Sequence, residues 1–229
     1  MKKIDKELWT AILKNDIEGV KKAVSGGANV DIEHVPTKDT PLFRAAQIPD
    51  PAIMLYLLDN GAKIDAECHD CVTPLFSAVY YGNEENVKIL LERGADPNHG
   101  DKHGKNPLFY CIEGNNIAIA TMLIEAGCDI EAKNDWNETV LNISCEIGKT
   151  NFVRFLLNHG ANVNNVDITE NTPIFNAVTY SRTKIVEMLI EAGADLSHKR
   201  CGMTVLEYLK SVHKNGKILK LVEDKLAKG

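Results

Sequence analysis

The hydrophobic positions along the chain carry two periods at once. Over short stretches they recur every three or four residues, as in Leu8, Ala11 and Ile12 followed by Val20 and Val24. That spacing predicts amphipathic helices with one core-facing stripe. On a longer scale the whole pattern returns every 33 residues. Thr40-Pro41-Leu42-Phe43 is repeated at Thr73, then as Asn106-Pro107-Leu108-Phe109, Thr139-Val140-Leu141-Asn142 and Thr172-Pro173-Ile174-Phe175, with a weaker copy at Thr204. A second series runs through Gly61, Gly94, Gly127, Gly160 and Gly193, with Gly27 one residue out of step. Between them lies a third: Leu57-Leu58, Leu90-Leu91, Leu123-Ile124, Leu156-Leu157 and Leu189-Ile190.

Each register has a physical role. A Thr hydroxyl accepts from an orphan N–H at a helix start, and Pro fits the first helical turn. Small residues after it (Ala45, Ala46, Ala78, Cys111, Ala177) let a first helix pack closely. The Leu pair marks the core face of a second helix. The Gly ends that helix, where a left-handed backbone is needed. The dozen residues that follow are rich in Asp, Asn, Gly and His and predict an extended hairpin-like loop.

These motifs resemble the ankyrin-repeat family over almost the whole chain. The resemblance implies an all-α solenoid of about six to seven 33-residue helix-turn-helix units, each with a projecting β-hairpin loop. It implies one continuous domain over 1–229, with an N-terminal cap (1–31), five internal units (38–199) and a C-terminal cap (200–229). The first unit lacks Thr-Pro and carries Glu18, Lys21 and Lys22 on its outer helix, as a polar cap should. In the last unit Lys210, Lys214, Lys217, Lys220, Lys225 and Lys228 outnumber Glu223 and Asp224 by four. We read this as a solubilising cap rather than a basic docking site.

Two units depart from the pattern. Ile48-Pro49-Asp50-Pro51 replaces the usual Gly between helices and stiffens that turn. The fifth unit lacks Pro and has Asn142 where its neighbours have Phe, so its first helix is expected to be the weakest.

Composition narrows the function. The chain has 229 residues and a formal net charge of −6, which disfavours a nucleic-acid partner because phosphate neutralisation needs a basic surface. No apolar run reaches the roughly 20 residues of a spanning helix, and no apolar stretch follows the charged start. A soluble, cytoplasmic, monomeric protein is expected. Six cysteines in a chain this long do not form a disulfide framework.

Cys68-His69-Asp70-Cys71 is the one enzyme-like string. A Cys-x-x-Cys pair can hold zinc or act as a dithiol. Zinc would need two further ligands, and His99 and His103 fall one repeat step onward. The plainer reading is a loop that carries two cysteines. Cys111 and Cys145 stand where neighbouring units have Ala. No phosphate loop, nucleophile elbow or carboxylate pair stands out, so no catalysis, cofactor or metal is expected.

If the framework accounts for the repeated residues, function lies in the variable ones. In an ankyrin-like stack these fall at the loop tips, two to four residues before each Thr, and at the ends of the first helices, seven or eight after it. The resemblance places both on a concave face. They include Tyr80, Tyr81, Trp136, Ile147, Ile168 and Tyr180, with His69, His103, Glu113 and Glu146 as polar companions. Large amphipathic rings on a rigid surface suit protein recognition. The expectation is a non-enzymatic module that binds a protein partner; the alternatives are a thiol- or zinc-dependent protein using Cys68 and Cys71, or a purely structural scaffold.

Overall fold

The computed structural model describes residues 1–212 and 216–227. Lys214 and Lys228 of the expected basic cap lie outside the described residues. The chain forms two compact units, Met1–Asp129 and Ile130–Gly229.

In the first unit, helices pair in chain order: α1 (Lys3–Leu13) with α2 (Ile17–Ser25), α3 (Pro41–Ala45) with α4 (Ala52–Asp59), α5 (Pro74–Tyr80) with α6 (Glu84–Glu92), and α7 (Pro107–Gly114) with α8 (Ile117–Glu125). The second unit holds α9 (Val140–Ile147) with α10 (Thr150–Asn158), α11 (Pro173–Thr179) with α12 (Thr183–Glu191), and α13 (Val205–Val212) with α14 (Gly216–Leu226). First helices pack on first helices one repeat away, α3 on α5 and α9 on α11 among them. Second helices do the same, as α6 does on α8 and α10 on α12.

The registers take their predicted places. Leu42, Leu75, Leu108, Leu141 and Ile174 are buried, as are the small residues behind them. The first member of each Leu pair is fully buried and the second only half-buried. One apolar side chain per pair therefore carries the core; the other lies along its edge. Val24 is likewise half-buried, and Ala23 takes the core position beside it. The glycines that close the second helices have φ of 82–90°. No L side chain adopts that backbone cheaply.

The Thr register is used less uniformly than the sequence suggests. Thr40 and Thr139 accept from the backbone N–H groups of Phe43 and Asn142. At Thr73 and Thr172 the hydroxyl caps nothing and is buried without a protein partner. Pro stands at the first helical position in all three Thr-Pro copies, so the proline does not account for the difference.

The fifth unit's first helix is not shortened. Asn142 is fully buried and forms a reciprocal capping box with Thr139. Its side-chain oxygen also accepts from Asn165, and its carbonyl from Asn176. A polar network takes the place of the missing Phe, and α9 has eight residues against seven in α5 and α11.

The loops differ from the expected β-hairpins: among the described residues there is no strand, only isolated bridges at His34–Asp39 and Arg200–Met203. Each loop is a tight turn closed by two backbone bonds, too few for a ladder. Neighbouring repeats are tied by a recurring bond instead. Asp31, Asp65 and Asn98 accept from the backbone N–H of Lys63, Asp96 and Asp129. Glu131 and Asn164 do the same for Asn162 and Asp195 in the second unit.

Candidate functional site: two aromatic patches

Loop tips are set by one side chain each. Asp101 accepts from the N–H groups of His103 and Lys105, Asn134 from those of Trp136 and Glu138, and Asp167 from those of Thr169 and Asn171. The residue three positions after each of them turns left-handed: Gly104, Asn137 and Glu170. These organisers recur every 33 residues and are buried. Their spacing was a usable signal that sequence reasoning passed over as ordinary turn residues.

The tips and helix ends present the candidate side chains. Tyr80, Tyr81, Trp136, Ile147, Ile168 and Tyr180 are all exposed, between 43% and 66%.

In the first unit, Tyr80 and Tyr81 line a cavity of about 250 Å³ with Phe43, Gln47, Val72, Phe76, Ser77 and Tyr110. The Tyr80 ring stands edge-on to Tyr81, with centroids 5.4 Å apart, and Tyr110 is edge-on to Phe76 at 5.3 Å. Tyr110 donates to Asp101 at 2.6 Å. Burial, with that bond, pushes its hydroxyl well above the ordinary range. Tyr110 and Phe43 were not among the expected residues. Tyr110 lies four positions after Asn106, one helical turn before the helix end, and so shares its face.

In the second unit, Trp136, Ile168, Tyr180 and Glu146 come together with Glu138, Asp167, Asn171 and Arg200 around a cavity of about 240 Å³. Tyr180 donates to Glu146 at 2.9 Å, and that carboxylate raises the Tyr180 hydroxyl's pKa. Arg182 fixes the same corner by donating to the Glu146 carbonyl. Its side chain lies so close to Gly148, φ 91°, that a Cβ there would sit 2.7 Å from the guanidinium nitrogen Nε.

Ile147, His69, His103 and Glu113 do not line either cavity. His69 is exposed and bonded to Asp70, which Lys102 holds at 2.7 Å. These two partners, Lys102 foremost, keep the Asp70 carboxyl below its usual range. Trp9 is buried, 5% exposed, and its ring packs edge-on to the His34 ring.

The Cys68–Cys71 loop does not assemble zinc ligands. His99 points its Nε2 at the Cys71 carbonyl, 3.1 Å away, with Glu67 at 3.5 Å. Among the described residues no three His, Cys, Asp or Glu side chains are grouped to hold a metal. Burial pushes the Cys68 thiol up to about 11, which suppresses the reactive thiolate.

Three copies of the family model for ankyrin repeats match the chain, over residues 8–101, 73–134 and 108–200. The chain belongs to the ankyrin-repeat family. Ankyrin repeats are generally protein–protein interaction modules. No curated protein matches this chain. Among its described residues no helix is long and apolar enough to cross a membrane. In this ankyrin-repeat protein the repeated residues are taken up by stacking, and the exposed large side chains lie at loop tips and helix ends.

Proposed function

We propose that this ankyrin-repeat protein is a non-enzymatic binding module that holds a protein partner through its two aromatic patches. The observation that carries the reading is the exposure of six large side chains at the variable positions of the repeat. Exposed Tyr and Trp are costly as mere surface, and they are the residue types that dominate binding energy at interfaces. The first patch supplies apolar anchors in Tyr80 and Tyr81. The second supplies Trp136 and Tyr180 beside carboxylates. His69, His103, Glu113 and Ile147 act as surrounding contacts.

The test is affinity capture with wild type and with a Tyr80→Ala/Tyr81→Ala/Trp136→Ala variant. A partner retained by wild type and lost by the variant is the expected result. Equal recovery of the same partner by both proteins would move the site away from these patches.

A further inference from the structure

The second-unit cavity has a chemistry that the first lacks. Its floor and walls include the rings of Trp136 and Tyr180 and the side chain of Ile168. It is also lined by three carboxylates, Glu138, Glu146 and Asp167, against one cation, Arg200, a formal balance of −2. At about 240 Å³ it is smaller than the roughly 300–1,000 Å³ of small-molecule sites, so it accommodates a single side chain of a partner.

The hydrogen-bond inventory points the same way. Glu146 accepts from Tyr180 through one oxygen only, and Glu138 accepts from Asn134 through one only. Among the described residues, no protein donor reaches the second oxygen of either. The Oδ1 of Asn171, on the same wall, is buried with no partner. Glu138 and Glu146 thus present two acceptor oxygens to an occupant. Arg200, the only cationic side chain lining it, makes no ion pair among the described residues. An occupant rich in donors, positively charged and flat enough to lie on an aromatic ring answers all of these features. A guanidinium has five donors in a rigid plane and stacks on Trp and Tyr faces. An ammonium has three donors on a compact head and stacks less well.

Resting on the binding-module reading, we infer that the Trp136–Tyr180–Glu146 cavity receives an arginine side chain of the protein partner. The ring faces hold the guanidinium plane, Glu146 and Glu138 take its N–H groups, and Arg200 limits the affinity by like-charge repulsion.

The test uses Trp136 fluorescence in a Trp9→Phe background, which leaves a single Trp. The probes are acetylated, amidated Gly-Gly-Arg-Gly-Gly and its citrulline and lysine counterparts at constant ionic strength. The arginine peptide should give a saturable change. The citrulline peptide, equal in shape but uncharged, should bind at least about tenfold more weakly, and the lysine peptide should fall between. Glu146→Gln should weaken arginine binding about tenfold, whereas Arg200→Ala should tighten it several-fold. The tightening separates a site residue from one that merely supports the fold. A Tyr80→Ala/Tyr81→Ala protein should respond like the parent. Equal binding of arginine and citrulline peptides, or no saturable response to arginine, overturns the inference. If that happens while the captured partner is still lost on Trp136→Ala, the pocket assignment fails and the binding-module reading stands. If the arginine peptide binds but wild type retains no partner, the pocket chemistry stands and the binding-module reading fails; a captured partner that survives Trp136→Ala docks outside the cavity and overturns the inference for that partner.

Discussion

The two aromatic patches use related positions of the same repeat but have different characters. The first is built from Tyr80, Tyr81, Tyr110 and Phe43, with only Gln47 and Ser77 as polar neighbours. The second sets Trp136 and Tyr180 among Glu138, Glu146, Asp167 and Arg200. The framework beneath both is the same: Thr or Asn, an apolar pair, a small residue, a closing Gly. The difference teaches that stacking constrains only part of each repeat, and that the remainder is free to vary in charge. An apolar patch contributes mainly through buried area and is insensitive to salt. A charged one contributes through complementarity and is screened.

The largest expected contrast is in thiol chemistry. Cys71 and Cys201 are exposed, one next to Val72 of the first patch and the other next to Arg200 of the second. Cys68, Cys111, Cys128 and Cys145 are buried, and burial raises Cys68 to about 11 and Cys111 and Cys128 to about 12. At pH 8 a thiol at about 11 is only ~0.1% thiolate. Alkylation of the native protein should therefore label two cysteines at least about a hundredfold faster than the other four, read by intact-mass kinetics. A bulky adduct on Cys71 should block the first patch, and one on Cys201 the second.

Next in size are the aromatic truncations. Tyr80→Ala with Tyr81→Ala, and Trp136→Ala with Tyr180→Ala, should each weaken partner binding by about 2–4 kcal/mol. Neither pair should shift the urea midpoint by much, because exposed side chains contribute little to the fold. If one pair is silent, the patches are not equal partners and the comparison breaks at that patch.

Salt should separate them further. Glu138→Gln with Glu146→Gln should flatten the dependence of partner affinity on ionic strength, a change of a few-fold between low and physiological salt. Truncating Tyr80 and Tyr81 should leave that slope unchanged.

The smallest effect concerns the loop beneath the first patch. Asp101, Asn134 and Asp167 organise their loops, but Cys68 holds the same register and cannot accept two backbone N–H groups. Its loop instead places both Asp70 and Cys71 in the left-handed region, at φ 68° and 58°. Cys68→Asn should restore the missing bonds and stabilise the protein by about 0.5–1.5 kcal/mol, measured by urea unfolding at unchanged m-value. Asn is preferred to Asp because Asp39 and Asp70 already press negative charge on this position.

This contrast also marks how far the sequence could be read. The framework was legible because identical demands recur every 33 residues: the buried Leu42, Leu75 and Leu108 and the left-handed Gly61, Gly94 and Gly127 repeat the same answer. The exposed Tyr80, Tyr81 and Trp136 were legible by subtraction, as residues that the framework does not explain. Tyr110 and Phe43 were not, because they sit in helix positions that look structural and join the patch only once α3 and α7 pack on α5. The polar network at α9 was hidden for a related reason. Asn142 reads as a lost Phe until Thr139, Asn165 and Asn176 are brought around it. The loops were overcalled as hairpins because turn residues were visible while the number of ladder bonds was not.

The central claim is that recognition resides in the variable aromatic side chains and folding in the repeated ones. The most direct measurement pairs the dissociation constant of the captured partner with the unfolding free energy, for wild type and for the Tyr80→Ala/Tyr81→Ala/Trp136→Ala protein. The expected result is a dissociation constant raised at least about a hundredfold with unfolding free energy changed by less than about 1 kcal/mol. An affinity within twofold of wild type, in a variant that remains folded, would contradict it.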